Sequence, residues 1–114
     1  MDIYTAQYRY SGADRLDITV KGQDPLGRIL APTWNMVMGV KKGTITEAEY
    51  TMAYIPILLN AIRDENVAKQ IKERYKNGLT LVCYCRSGDF CHRLLAARGF
   101  SAAGWGTYIK ERRI

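Results

Sequence analysis

Residues Leu79 to Cys85 (Leu-Thr-Leu-Val-Cys-Tyr-Cys) form the most restrictive stretch of the chain. Nearly every side chain in the run is apolar, so it has no face to offer to water. A strand of that kind belongs in the middle of a sheet, covered on both faces. Covered central strands are a property of parallel sheets, whose crossovers lay helices over them. Arg86 to Phe90 reads as a loop, and a helix from about Cys91 to Arg98 follows.

The rest of the chain fits that frame. Residues 3–10 are β-prone and aromatic and predict a strand. Ser11 to Asp14 is a turn. Arg15 to Val20 predicts a second strand, with Leu16, Ile18 and Val20 on one face and Asp17 and Thr19 on the other. Gly22, Pro25 and Gly27 mark residues 21–31 as a loop. Pro32-Thr33-Trp34 opens a short helix through Met38. Thr46-Glu47-Ala48-Glu49 is a capping box. It heads a helix with Tyr50, Tyr54, Ile57, Leu58, Ala61 and Ile62 along one stripe, and Pro56 should kink that helix or split it in two. A further helix spans about Asn66 to Lys76, with Val67, Ile71 and Tyr75 at helical spacing, closed by a left-handed cap at Asn77-Gly78. Gly106 to Arg113 reads as an edge strand or a loose tail. The order of elements predicts a single small α/β domain over residues 1–114, with a mostly parallel central sheet and helices packed on it.

At 114 residues and 47% hydrophobic, the chain can bury one core but not two. No run of about 18 apolar residues occurs, so no membrane partner is expected. Met1-Asp2-Ile3-Tyr4-Thr5 does not combine a basic region with an apolar run, which predicts a cytoplasmic protein. Three cysteines there suggest unbridged thiols, a metal site or a reactive group rather than a disulfide framework.

The net charge of +6 is unevenly placed. Residues 1–62 carry six basic and six acidic side chains, and residues 63–114 carry eleven and five. A solvated basic face on the Asn66–Asn77 helix accounts for part of the excess. The remainder favours a small anionic, nucleotide-like ligand. Nucleic acid is the lesser choice, because no aromatic-basic stripe or nucleic-acid motif is present.

Cys83 to Arg93 lies just past the end of the buried strand, where α/β proteins place their sites. Its loop feeds a helix N-terminus, whose amides and dipole favour negative charge. In that loop Ser87 is a candidate ligand contact, and Gly88 lets the backbone approach a ligand closely. His92 and Arg93 in a first helical turn oppose the dipole by about 0.3–1 kcal/mol. Either Asp89 offsets that cost or an anion completes the site.

The thiols admit three readings. Cys91, beside His92 and Arg93, reads as a nucleophile with a lowered pKa. Cys83, Cys85, Cys91 and His92 are four candidate zinc ligands. Their spacing argues against that: Cys83 and Cys85 would sit about 6–7 Å apart along a strand, Cys91 and His92 would point apart on a helix, and zinc motifs prefer two intervening residues. No cofactor is therefore expected, with zinc as the lesser alternative. The third reading is simple burial, strongest for Cys83 or Cys85. His92, the only histidine, reads equally as a structural side chain or a site residue. The arginine of phosphatase and rhodanese loops would fall at Cys91 when counted from Cys85, and Arg93 comes too late, which excludes a standard assignment of either kind. On the second strand Asp17, Thr19 and Lys21 share one side, and Arg9 could reach the same end. Asp17 and Lys21 are candidate acid/base groups, and Arg9 and Thr19 candidate ligand contacts.

The stretch Leu79 to Arg93, with Cys-His-Arg opening its helix, resembles the family called domain of unknown function 488. So do Tyr4-Thr5 with Gln7, Asp17-Ile-Thr19-Val-Lys21, Ala31-Pro32 before Trp34, and Tyr50 and Tyr54. The resemblance covers residues 3–98, and Tyr108 to Arg113 looks like the family's closing strand. It implies an α/β fold and a site formed by Cys83, Cys91, His92, Arg93, Asp17 and Lys21. It implies no reaction, and relatives of this size occur in bacteria and their viruses. Many members carry an acid where this chain has Cys85, which weakens an obligatory role for that thiol. Three functions follow as expectations. One is an enzyme acting on a nucleotide or sugar-phosphate, with Cys91 or Asp17 as the reactive group. Another is a protein that captures a nucleotide signal unchanged, as in viral evasion of host defence. The third is a small zinc or interaction module.

Overall fold

The computed structural model describes residues 1–85 and 90–113. Among these, four strands form one sheet: β1 (Asp2–Gln7), β2 (Arg15–Asp17), β3 (Gly78–Cys83) and β4 (Thr107–Arg112). Their spatial order is β2-β3-β1-β4, and every neighbouring pair is parallel. The helices are α1 (Pro25–Arg28), α2 (Trp34–Lys42), α3 (Glu47–Arg63), α4 (Glu65–Arg74) and α5 (His92–Ala102). The chain is a mixed α/β fold, as its pattern predicts. No helix among the described residues is long and apolar enough to cross a membrane.

The core lies on one face of the sheet. Ile3, Leu16, Leu79 and Leu81 meet Tyr54 and Leu58 of α3, Val67 and Ile71 of α4, and Ala96, Ala97 and Phe100 of α5. The other face is covered differently from the expected layer of helices. β1 and β2 lie on opposite sides of β3, so the connection Tyr8–Asp14 has to cross β3 outside the sheet. A short connection suffices because β2 starts level with Thr80, partway along β3. Asp14 accepts a 2.7 Å hydrogen bond from the Thr80 hydroxyl, and the Arg112 guanidinium lies 3.7 Å over the Tyr4 ring. Thr80 and Val82 are thereby buried beneath side chains and a loop.

Several elements end where local chemistry overrides periodicity. β2 stops at Asp17 rather than Val20, because the Asp17 carboxylate accepts from both the amide (2.9 Å) and the hydroxyl (2.7 Å) of Thr19 and turns the chain. A second turn follows, from the Gly22 amide to the Thr19 carbonyl. Gly27 closes the corner: a Cβ there would collide with the Asp17 carbonyl oxygen, so only glycine lets α1 lie against the strand end.

α3 begins at its capping box, with both reciprocal bonds formed. It runs past Pro56 as one helix, so of the two expected outcomes, a kink or a split, the split does not occur. Pro56 lies on the exposed side, where the displaced carbonyl can turn to water. Tyr50, Tyr54, Leu58 and Ala61 anchor the helix on both sides of it. α2 starts after Thr33, which caps Met36, and extends to Lys42. Gly78 makes no left-handed cap; it opens β3 opposite Asp2, and among the described residues the left-handed glycines are Gly43 and Gly104. The C-terminal segment is an edge strand, β4, beside β1.

The buried Tyr54 hydroxyl donates to the Leu30 carbonyl at 2.6 Å and ties α3 to the segment after α1. Tyr54→Phe leaves that carbonyl unsatisfied and should cost about 1–2 kcal/mol, read as a lower midpoint with unchanged slope in urea unfolding.

Candidate functional site

A cavity of about 340 Å³ opens at the C-terminal ends of β2 and β3. Thr19, Val20 and Lys21 supply one wall from the turn after β2. Pro32, with Trp34, Val37, Val40 and Lys41 of α2, supplies another, and Tyr50 of α3 reaches in from behind. Cys83, Tyr84 and Cys85 come from the end of β3, and Phe90, Cys91 and His92 from the entry to α5. Trp34 and Tyr84 keep 49% and 62% of their surface exposed, and the Tyr84 ring stacks on Tyr8 with ring centres 4.2 Å apart. Lys21, at a turn tip rather than on a strand, holds its ammonium 5.0 Å from the centre of the Trp34 ring.

The three cysteine sulfurs converge, all lying within 4.8 Å of one another. This arises because β3 ends at Cys83, so Cys85 is released from the strand's alternation. Cys91 is the N-cap of α5 with extended backbone (φ −154°, ψ 148°), rather than a residue of the helix. Its sulfur therefore does not point away from His92, as helical placement would require; it lies 3.7 Å from His92 Nδ1. Cys83 and Cys91 are in disulfide contact, unlike the unbridged thiols expected, and Cys85 lies outside that pair. The Cα atoms of Cys83 and Cys91 stand 7.8 Å apart, beyond the range of about 4.4–6.8 Å usual for disulfides.

His92 is buried, and its other ring nitrogen, Nε2, is 2.7 Å from the Ile18 carbonyl. A carbonyl can only accept, so Nε2 carries the proton and Nδ1 presents a lone pair to Cys91. Burial, helped by the charge of Arg93, pushes the His92 pKa down to about 4, while the Ile18 carbonyl and Asp17 pull the other way. Burial foremost, and the nearby Cys85, raise the Tyr50 hydroxyl pKa, so it stays protonated at the cavity wall.

Arg93 is placed elsewhere. Its guanidinium is 1% exposed. It donates to both Glu111 oxygens (3.0 and 2.7 Å), to the Cys83 sulfur (3.0 Å) and to the Cys85 carbonyl (3.0 Å). Its contacts tie α5, β3 and β4 together, and it does not line the cavity.

Of the candidate site residues singled out by sequence, the cavity brings together Thr19, Lys21, Cys83, Cys85, Cys91 and His92. Asp17 lies beneath the turn, bound to Thr19, and Arg9 is exposed in the connection after β1; neither lines the cavity. Ser87 and Gly88 lie outside the described residues. Sequence reasoning missed Trp34, Lys41 and Phe90 as wall residues. It also missed Glu111, whose signal was a single acid within the basic tail Lys110 to Arg113.

Glu111→Ala withdraws the carboxylate from a buried guanidinium and should cost about 3 kcal/mol, measured by denaturant unfolding. His92 gives a pH dependence. The unfolded chain takes up a proton near the ordinary value of 6.5, and the folded chain resists until about 4. Stability should therefore fall as pH drops through that window, by on the order of 3 kcal/mol, and stay level above it. The difference between wild type and His92→Gln at pH 7 and pH 4.5 isolates this contribution, and equal differences at both would rule it out. No protein-family model, no curated protein and no solved structure matches the chain.

Proposed function

We propose that the protein binds a planar, negatively charged small molecule of the nucleotide class in this cavity. The charge of the lining carries this reading. Among the described residues around the cavity, Lys21 and Lys41 supply ammonium groups and no carboxylate opposes them. A volume of about 340 Å³ lies within the range of small-molecule sites. The half-exposed Trp34 ring suits stacking by a heterocyclic base, and the two lysines suit its phosphate. The resemblance to domain of unknown function 488 agrees with a site at this end of the sheet but names no reaction.

With the Cys83–Cys91 contact reduced, Cys91 is the group best placed to act on a bound ligand, because the His92 nitrogen facing its sulfur at 3.7 Å is the one able to accept a proton. A second reading, capture of the ligand without turnover, is favoured by the burial of that same sulfur, since Cys91 is only 2% exposed. Mass analysis of ligand released by heating separates the two: an altered compound means turnover, and an unaltered one means capture.

Nucleoside mono- and diphosphates should raise the melting temperature more than their parent nucleosides do. Paired Lys21→Ala and Lys41→Ala substitutions should weaken nucleotide binding about tenfold, or roughly 1.4 kcal/mol. No shift with any nucleotide, or equal affinity in the paired variant, overturns the proposal.

A further inference from the structure

The geometry points to a zinc site at the floor of the cavity, with Cys83, Cys85 and Cys91 as thiolate ligands and His92 Nδ1 as the fourth. Three sulfurs within 4.8 Å of one another need little contraction to surround one ion, since zinc–sulfur bonds of about 2.3 Å at tetrahedral angles separate the sulfurs by about 3.8 Å. The 3.7 Å between Cys91 Sγ and His92 Nδ1 already matches an edge between a sulfur and a nitrogen ligand. The backbone of Cys83 and Cys91 supports this. With Cα atoms 7.8 Å apart, the two side chains approach a common point from opposite sides, as ligands of a shared atom do.

The surroundings supply what a metal centre of this kind requires. His92 gives its Nε2–H to the Ile18 carbonyl at 2.7 Å, the arrangement that orients a ligating imidazole and leaves the other nitrogen's lone pair for the metal. Arg93 donates to the Cys83 sulfur at 3.0 Å. Three thiolates and a divalent ion leave one net negative charge, and that buried guanidinium lies beside it. Sulfur-rich tetrahedral sets select zinc over the hard cations. A thiol reductant first opens the Cys83–Cys91 contact, supplying two electrons and two protons; binding to the reduced chain then replaces the three thiol protons, which leave to solvent, with no further electron transferred.

The ion does not depend on the nucleotide reading, and its test needs no organic ligand. Protein made in zinc-supplemented medium and purified under reductant without chelator should hold one zinc per chain by elemental analysis. Cobalt(II) added to the metal-free protein should give the sulfur-to-cobalt charge-transfer band and the intense visible bands of a tetrahedral thiolate site. Cys85 is the least buried of the three cysteines, so Cys85→Ser should fold and lose at least tenfold in zinc affinity. Zinc well below one per chain, or octahedral cobalt spectra in the wild type, would overturn the site. So would full zinc affinity in Cys85→Ser. The cobalt spectra need only the wild-type chain, so they decide the matter even if that variant fails to fold.

Discussion

A guanidinium that is 1% exposed must be answered from within the protein, and Arg93 is answered from separate segments of the chain. Glu111 comes from β4, the edge strand at the far end of the sequence. The Cys83 sulfur and the Cys85 carbonyl come from the end of β3. Arg93 itself is in the first turn of α5. A cation at a helix N-terminus is locally unfavourable, and a buried charge without its partner costs several kcal/mol. Both costs are met only when all these segments are in place, so this residue couples closure of the sheet to construction of the site.

The one-sided core explains why the site lies where it does. Helices α2 to α5 contribute to the cluster over Ile3, Leu79 and Leu81, while the opposite face is closed by the Tyr8–Asp14 connection and Arg112. β2 is cut short by the Asp17 turn, which directs the following residues, Thr19 to Lys21, toward the helical side. α2 and α3 then complete a wall around the open end of β3, the usual location of ligand sites in parallel sheets.

The chemistry at the cavity floor is that of sulfur held between two nitrogen groups. Arg93 donates to Cys83, and His92, its tautomer set by the Ile18 carbonyl, faces Cys91 with a lone pair. One contact sets a hydrogen-bond donor against sulfur and the other sets an acceptor against it. That environment suits either a nucleophile or a metal ligand. Lys21, Lys41 and Trp34 line the same cavity as the sulfurs, so the proposed anionic ligand and the proposed ion would share it.

Local patterns alone determined a good deal. The apolar run around Leu81 specified a central strand, the Thr46–Glu49 box specified the start of α3, and the stripe of Tyr50, Tyr54 and Leu58 specified its buried face. Each depends on near neighbours in sequence, which is why it could be read there. Cys83 at the end of a buried strand and Cys91 at the entry to a helix, both of which line the cavity, could be singled out for the same reason. Tertiary structure decided the rest. Cys91 lies outside the helix, the three sulfurs converge, Arg93 turns to Glu111 rather than into the cavity, and Trp34 and Lys41 become its wall. These outcomes depend on partners such as Glu111 and Ile18 that are distant in the chain, and no local periodicity encodes a contact between residues brought together only by the folding of the sheet.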